Sequence, residues 1–187
     1  YLHSTNSSTA IGSALSMASR ALVRLENLES VQFHPTAFYH PDSPRFPITE
    51  AMRGEGAILL NARGERFMER YDPRAELAPR DVVSQAIVTE LLPNGENRGF
   101  LDAREIKHAL AERFPTILRH CQQYGVDIRT DLIPVVPAAH YFCGGILTDL
   151  AGRTSLSRLY SVGECSCTGL HGANRLASTV LLEAPVG

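Results

Sequence analysis

The chain has 187 residues, 44% of them hydrophobic and 20% charged, with a formal net charge of −2. A chain of this length buries roughly 70% of its unfolded surface and needs no disulfides to fold, and so even a charge balance argues against a sequence-blind nucleic-acid binder. Its longest apolar run, Leu132 to Ala139, is eight residues long with two prolines, whereas a bilayer-spanning helix needs about 20.

The opening Tyr1-Leu2-His3 has no basic-then-apolar leader pattern. Cys121, Cys143, Cys165 and Cys167 form no Cys-x-x-Cys pair, which predicts reduced thiols in a cytoplasmic setting. Because the chain starts without Met and stops soon after a helical pattern, it is expected to be a piece of a longer protein.

In chain order, residues 9–22 are small and apolar and predict a helix leading into Val31-Gln32-Phe33. Pro47 to Gly54 predicts a short helix with Pro near its first position. Ala57–Leu60 and Glu65–Met68 predict a hairpin around Asn61-Ala62-Arg63-Gly64. Pro79 to Leu92 is the clearest helix, with Val82, Val83, Ala86, Ile87, Glu90 and Leu91 at 3–4 spacing and Pro93 as a stop. Arg104 to Tyr124 predicts one or two helices broken near Pro115. Val135–Tyr141, Ile146–Thr148 and Leu159–Val162 read as strands, and Asn174 to Glu183 as a helix. The class is α/β or α+β.

Five clusters hold residues with chemistry. His34 in Phe33-His34-Pro35-Thr36 is biased toward extended backbone by Pro35; it suits either a strand-end ligand or a histidine satisfied in a turn. Glu50 and Arg53 share a helix face, as an ordinary surface ion pair or as a proton relay beside Gly54 and Gly56. Arg80, in the first turn of the clearest helix, opposes the helix dipole; it pairs with Asp81 or another acid, or awaits an anionic ligand. His140 follows small residues and precedes Gly144-Gly145, which would let a flat ligand approach; a buried structural histidine is the alternative. Gly163-Glu164 and Gly169 to Ser178 read as strand, turn and helix start, where backbone N–H groups bind anions and Arg175 could fork a carboxylate. His34, His40, His171, Cys165 and Cys167 have no common zinc spacing, so no metal site is expected.

Together, His-Pro-Thr, Thr-Glu-Ala-x-Arg-Gly-Glu-Gly-Ala, Arg-Asp-Val-Val, Ala-Ala-His-Tyr-x-Cys-Gly-Gly and His-Gly-Ala-Asn-Arg resemble the succinate dehydrogenase and fumarate reductase flavoprotein family. The resemblance covers nearly all 187 residues and is closest to the branch that oxidises L-aspartate to iminoaspartate ahead of NAD synthesis. It implies an α+β capping domain at residues 33–143, with residues 1–32 and 144–187 as partial segments of an FAD-binding α/β domain. It implies non-covalent FAD, a dicarboxylate substrate (L-aspartate or fumarate), and oxygen or fumarate as electron acceptor. His34, Thr49, His140 and Arg175 match the substrate-carboxylate clamp, and Arg80 the arginine that delivers a proton to fumarate. Glu50 and Arg53 match the relay that reloads it, and Glu164, Asn174 and Ser178 match positions that touch FAD. Thr179-Val180 stand where the family has Asn-Ser. No Gly-x-Gly-x-x-Gly follows an N-terminal strand, so the part that cradles the FAD pyrophosphate is missing. The chain alone is therefore expected to be a non-catalytic module without cofactor, open to self-association.

Overall fold

The computed structural model describes residues 1–106, 109–176 and 179. Helix and strand are mixed. In chain order they are α1 (Ser13–Arg20), β1 (Leu25–Glu26), β2 (Val31–Phe38), α2 (Glu50–Gly54), β3 (Ile58–Leu60), α3 (Arg80–Leu91), β4 (Gly99–Asp102), α4 (Leu110–Arg113), α5 (Pro115–Gln123), β5 (Ile133–Phe142), β6 (Gly145–Leu147) and β7 (Ser166–Cys167). None of the described helices is long and apolar enough to cross a membrane.

The chain divides into two compact units. The first comprises Tyr1–Thr5 and Phe33–Ala138. Its sheet has the order β2-β5-β4-β3, with β3 antiparallel to β4 and β4 antiparallel to β5. One face of α3 (Val83, Ala86, Ile87 and Leu91) is buried in a core with Phe38, Met52, Leu59, Phe67, Met68, Leu101 and Ile133. The second unit comprises Asn6–Gln32 and the residues from Ala139 on. Its sheet has the order β1-β6-β7, β1 antiparallel and β6–β7 parallel, and Ala18 of α1 packs with Val23 and Ile146 in a small core of its own.

Local chemistry explains where the expected elements shift. α2 begins at Glu50 because the Thr49 side chain caps it, accepting the Ala51 N–H; Pro47 lies outside the helix, bridged to Ala37. α3 starts directly after Pro79, and α5 starts on Pro115, as a fixed φ favours. The expected hairpin shrinks to one bridge, Leu60 to Arg66. Beyond it, Met68–Arg70 is a 3-10 turn, and β3 takes its ladder from β4. Leu159–Val162 is not a strand; only Tyr160 is bridged, to Arg153, between left-handed glycines Gly152 and Gly163. Asn174 to Leu176 are not helical, and most of the helix expected there lies outside the described residues.

Candidate active site

In the first unit, α2 and α3 present their starts to one another. Arg80, the first residue of α3, donates from Nε to Glu50 Oε1 at 2.7 Å and from Nη2 to Oε2 at 3.4 Å. Glu50, the first residue of α2, therefore takes the fork that sequence left open to Asp81 or another acid. One turn on, Arg53 donates from Nη2 to Glu50 Oε1 at 3.3 Å. A single carboxylate thus stands between two guanidiniums. The side chain of Arg53 is 3% exposed and that of Arg80 11%, while Glu50 is 41% exposed, so the carboxylate is the open member of the three. Burial pushes the Arg53 guanidinium below its ordinary value; Glu50 opposes that, Arg80 adds to it, and Glu76 opposes it more weakly.

His34 is buried. Its Nδ1 accepts the Thr36 N–H at 3.3 Å, which puts the ring proton of the neutral imidazole on Nε2. Thr36 Oγ1 in turn donates to Ile48 O at 3.0 Å, fixing the strand that carries His34. Thr49 Oγ1 is an acceptor at the α2 cap, and its hydroxyl hydrogen keeps donor capacity.

The second unit holds the other expected ligands. Arg175 is 9% exposed, and its guanidinium lies 4.1 Å from the Tyr141 ring centroid, a cation–π contact. Tyr141 meets the His171 ring edge-on at 5.6 Å. Gln32 Nε2 donates to Asn174 Oδ1 and to Arg175 O, each at 2.6 Å, so one amide fixes the turn that carries Arg175. His140 is half-buried on β5. Glu164 is exposed in the 3-10 turn Gly163–Cys165, and its Oε1 accepts the Phe142 N–H at 2.9 Å. Ser178 lies outside the described residues.

One expectation changes. Gly144 and Gly145 do not open space for a flat ligand. A Cβ on Gly144 would stand 2.0 Å from Asn27 O, and one on Gly145 2.5 Å from Cys165 O, so these glycines let the chain's own backbone pass. Among the described residues, no three His, Cys, Asp or Glu side chains gather as a metal group would. Sequence reasoning also passed over Tyr141, Gln32 and Glu76. Tyr141 directly follows His140 in sequence, which was the available signal for it; for the other two, partners distant in sequence left none.

The sequence model of the FAD binding domain family matches residues 1–181. L-aspartate oxidase 1 of Ralstonia nicotianae is 53% identical over 187 residues, covering 100% of this chain and 35% of that protein. L-aspartate oxidase of Pseudomonas aeruginosa is 52% identical, covering 98% of this chain and 34% of that protein. The chain thus spans about a third of the length of the curated relatives it matches. Among solved structures, a mutant of E. coli quinol fumarate reductase FrdA superposes with a TM-score of 0.88 at 38% identity, covering 98% of this chain and 34% of that one. Mycobacterium smegmatis Sdh1 gives 0.75 at 35%, covering 98% and 31%.

Proposed function

The chain belongs to the FAD binding domain family, and from that premise we propose that it is a segment of a cytoplasmic L-aspartate oxidase. The observation that carries the chemical reading is the Arg80–Glu50–Arg53 array. In this reading the Phe33–Ala138 part of the first compact unit corresponds to the capping domain expected at residues 33–143. Residues 1–32 and 144–187 belong to the flavin domain.

Bound FAD supplies the hydride chemistry of such an enzyme. The residues present fit part of that cofactor. Gly163, Gly169 and Gly172 take positive φ with open space where a Cβ would stand; Glu164 lies within that run and Asn174 just after it. No Gly-x-Gly-x-x-Gly occurs in these 187 residues.

His34, Thr49, His140 and Arg175 are assigned to the substrate carboxylates. Each offers a donor, and donors to the substrate carboxylates orient the reacting Cα, a large share of catalysis. Tyr141 under Arg175 restricts the plane of that guanidinium. In fumarate reduction, one Arg80 N–H proton goes to the substrate carbon. Glu50 then moves a proton between Arg53 and Arg80, so the cation is restored for the next turnover. An arginine is a weak acid, with a pKa above about 12, and serves only if reloaded quickly; an Arg53 destabilised by burial suits the donor end. In aspartate oxidation Arg80 acts through its charge on the developing transition state.

The test is Arg80→Lys in the whole enzyme. Lysine keeps the charge but loses the fork to Glu50. Fumarate reduction should fall by about a hundredfold or more, with flavin content and thermal stability little changed. Unchanged fumarate reduction would remove Arg80 from the mechanism. The likeness to fumarate reductase and Sdh1 structures favours a second reading, a succinate-linked flavoprotein subunit; the preferred reductant separates the two.

A further inference from the structure

We propose that Glu76 is a positioning residue for proton delivery, holding Arg53 and the approach to α3 in the geometry that the relay requires. The inference rests on the reading of Arg80, Glu50 and Arg53 as a relay. Two side-chain hydrogen bonds of Arg53 are seen among the described residues. One goes to Glu50, which is half-exposed and shared with Arg80. The other runs from Nη1 to the Glu76 backbone carbonyl. Arg53 Nε is buried without a partner among the described residues, so it adds no third constraint. The orientation of the guanidinium therefore depends on where the Glu76 carbonyl sits.

That carbonyl is anchored by its own side chain. The Glu76 carboxylate is buried and accepts the Leu59 N–H of β3 at 3.1 Å, Arg66 Nε at 3.1 Å and Arg66 Nη2 at 2.7 Å. Arg66 is tied outward to Glu69 at 2.6 Å. The turn so held is strained. Ala75, the residue before, has φ +48, a left-handed conformation that a non-glycine residue rarely adopts and that persists only where surroundings impose it. Glu76 also stands four residues before Arg80 in the turn that runs through Pro79 into α3. One carboxylate thus fixes the strap that carries one cation and the carbonyl that aims the other. Its contact with Arg53 is through a carbonyl oxygen, so Glu76 passes no proton itself.

Glu76→Gln in the flavin-loaded whole enzyme tests this. Glutamine keeps the size and can still accept the Leu59 N–H, but offers Arg66 an amide. Two rates are compared: fumarate reduction by pre-reduced enzyme, which needs the delivered proton, and anaerobic flavin reduction by L-aspartate, which does not. The expected result is a fall of about tenfold or more in the first, with its alkaline limb moved to lower pH, and less than about a twofold change in the second. Equal loss of both rates, or no loss of either, overturns the proposal. Should Glu76→Gln not hold flavin, Arg66→Gln, which removes the same fork from the exposed side, carries the same comparison with the same outcomes. Glu50→Gln separates the two layers. If it leaves fumarate reduction intact, the relay reading fails. If it abolishes fumarate reduction while Glu76→Gln does not, the role of Glu76 alone fails.

Discussion

Glu90 lies on the buried row of α3, where a carboxylate would ordinarily be costly. Among the described residues, donors that keep it charged include Arg70 Nη2, the Tyr71 hydroxyl at 2.7 Å and Asn61 Nδ2 at 3.4 Å. Burial pushes its pKa up, but those donors outweigh burial and leave it below the ordinary value of 4.5. A carboxyl depressed on folding stabilises fully above its unfolded pKa and loses that contribution as pH falls through the folded one. Glu90→Gln should therefore cost about 1–2 kcal/mol at pH 7. Its thermal midpoint should converge on that of the parent as pH drops below 4.5; a gap that persists at low pH would contradict the account. The same residues show how far single positions were readable. Glu50 and Arg53 were paired by their i, i+3 spacing, and Arg80 by its misfit with the helix dipole. Glu76 left no signal, because it holds Arg53 through a backbone carbonyl that every residue has, and Arg66 reaches it from ten positions away.

At the scale of elements, α3 and the α4–α5 break at Pro115 were legible because periodicity and proline act within a few residues. β4 was not foreseen: Gly99–Asp102 is four residues long and exists through its neighbours β3 and β5. Leu159–Val162 had strand composition but no ladder partner beyond one bridge, and β-propensity is decided by such partners. The Gly144-Gly145 pair was readable as a close approach, though not as an approach of backbone to backbone. Gly144→Ala should therefore destabilise by about 1–3 kcal/mol, since the atoms a Cβ would strike, Asn27 O, Asn27 C and Glu26 O, are main chain. Gly54→Ala is the control. Nothing lies within 4 Å of the added Cβ and the backbone there is not left-handed, so it should be neutral or stabilising by up to about 1 kcal/mol. Thermal melts of the two variants check both; equal behaviour would refute the packing argument.

At the scale of the whole molecule, the candidate ligands divide between the two units: His34, Thr49, Glu50, Arg53 and Arg80 in one, His140, Glu164, Asn174 and Arg175 in the other. Periodicity relates no residues so far apart in sequence; the joint order of the motifs pointed to a flavoprotein family, and the match to the FAD binding domain family agrees with that. What composition alone supports is less: an even charge, four free cysteines and no described helix fit to span a membrane. The central claim is that the whole enzyme takes its electrons from L-aspartate. The most direct measurement is anaerobic mixing of the flavin-loaded whole enzyme with L-aspartate or with succinate, following the flavin absorption band. The account predicts rapid bleaching by L-aspartate and little by succinate. Bleaching by succinate with none by L-aspartate would contradict it and assign the chain to a succinate-linked flavoprotein.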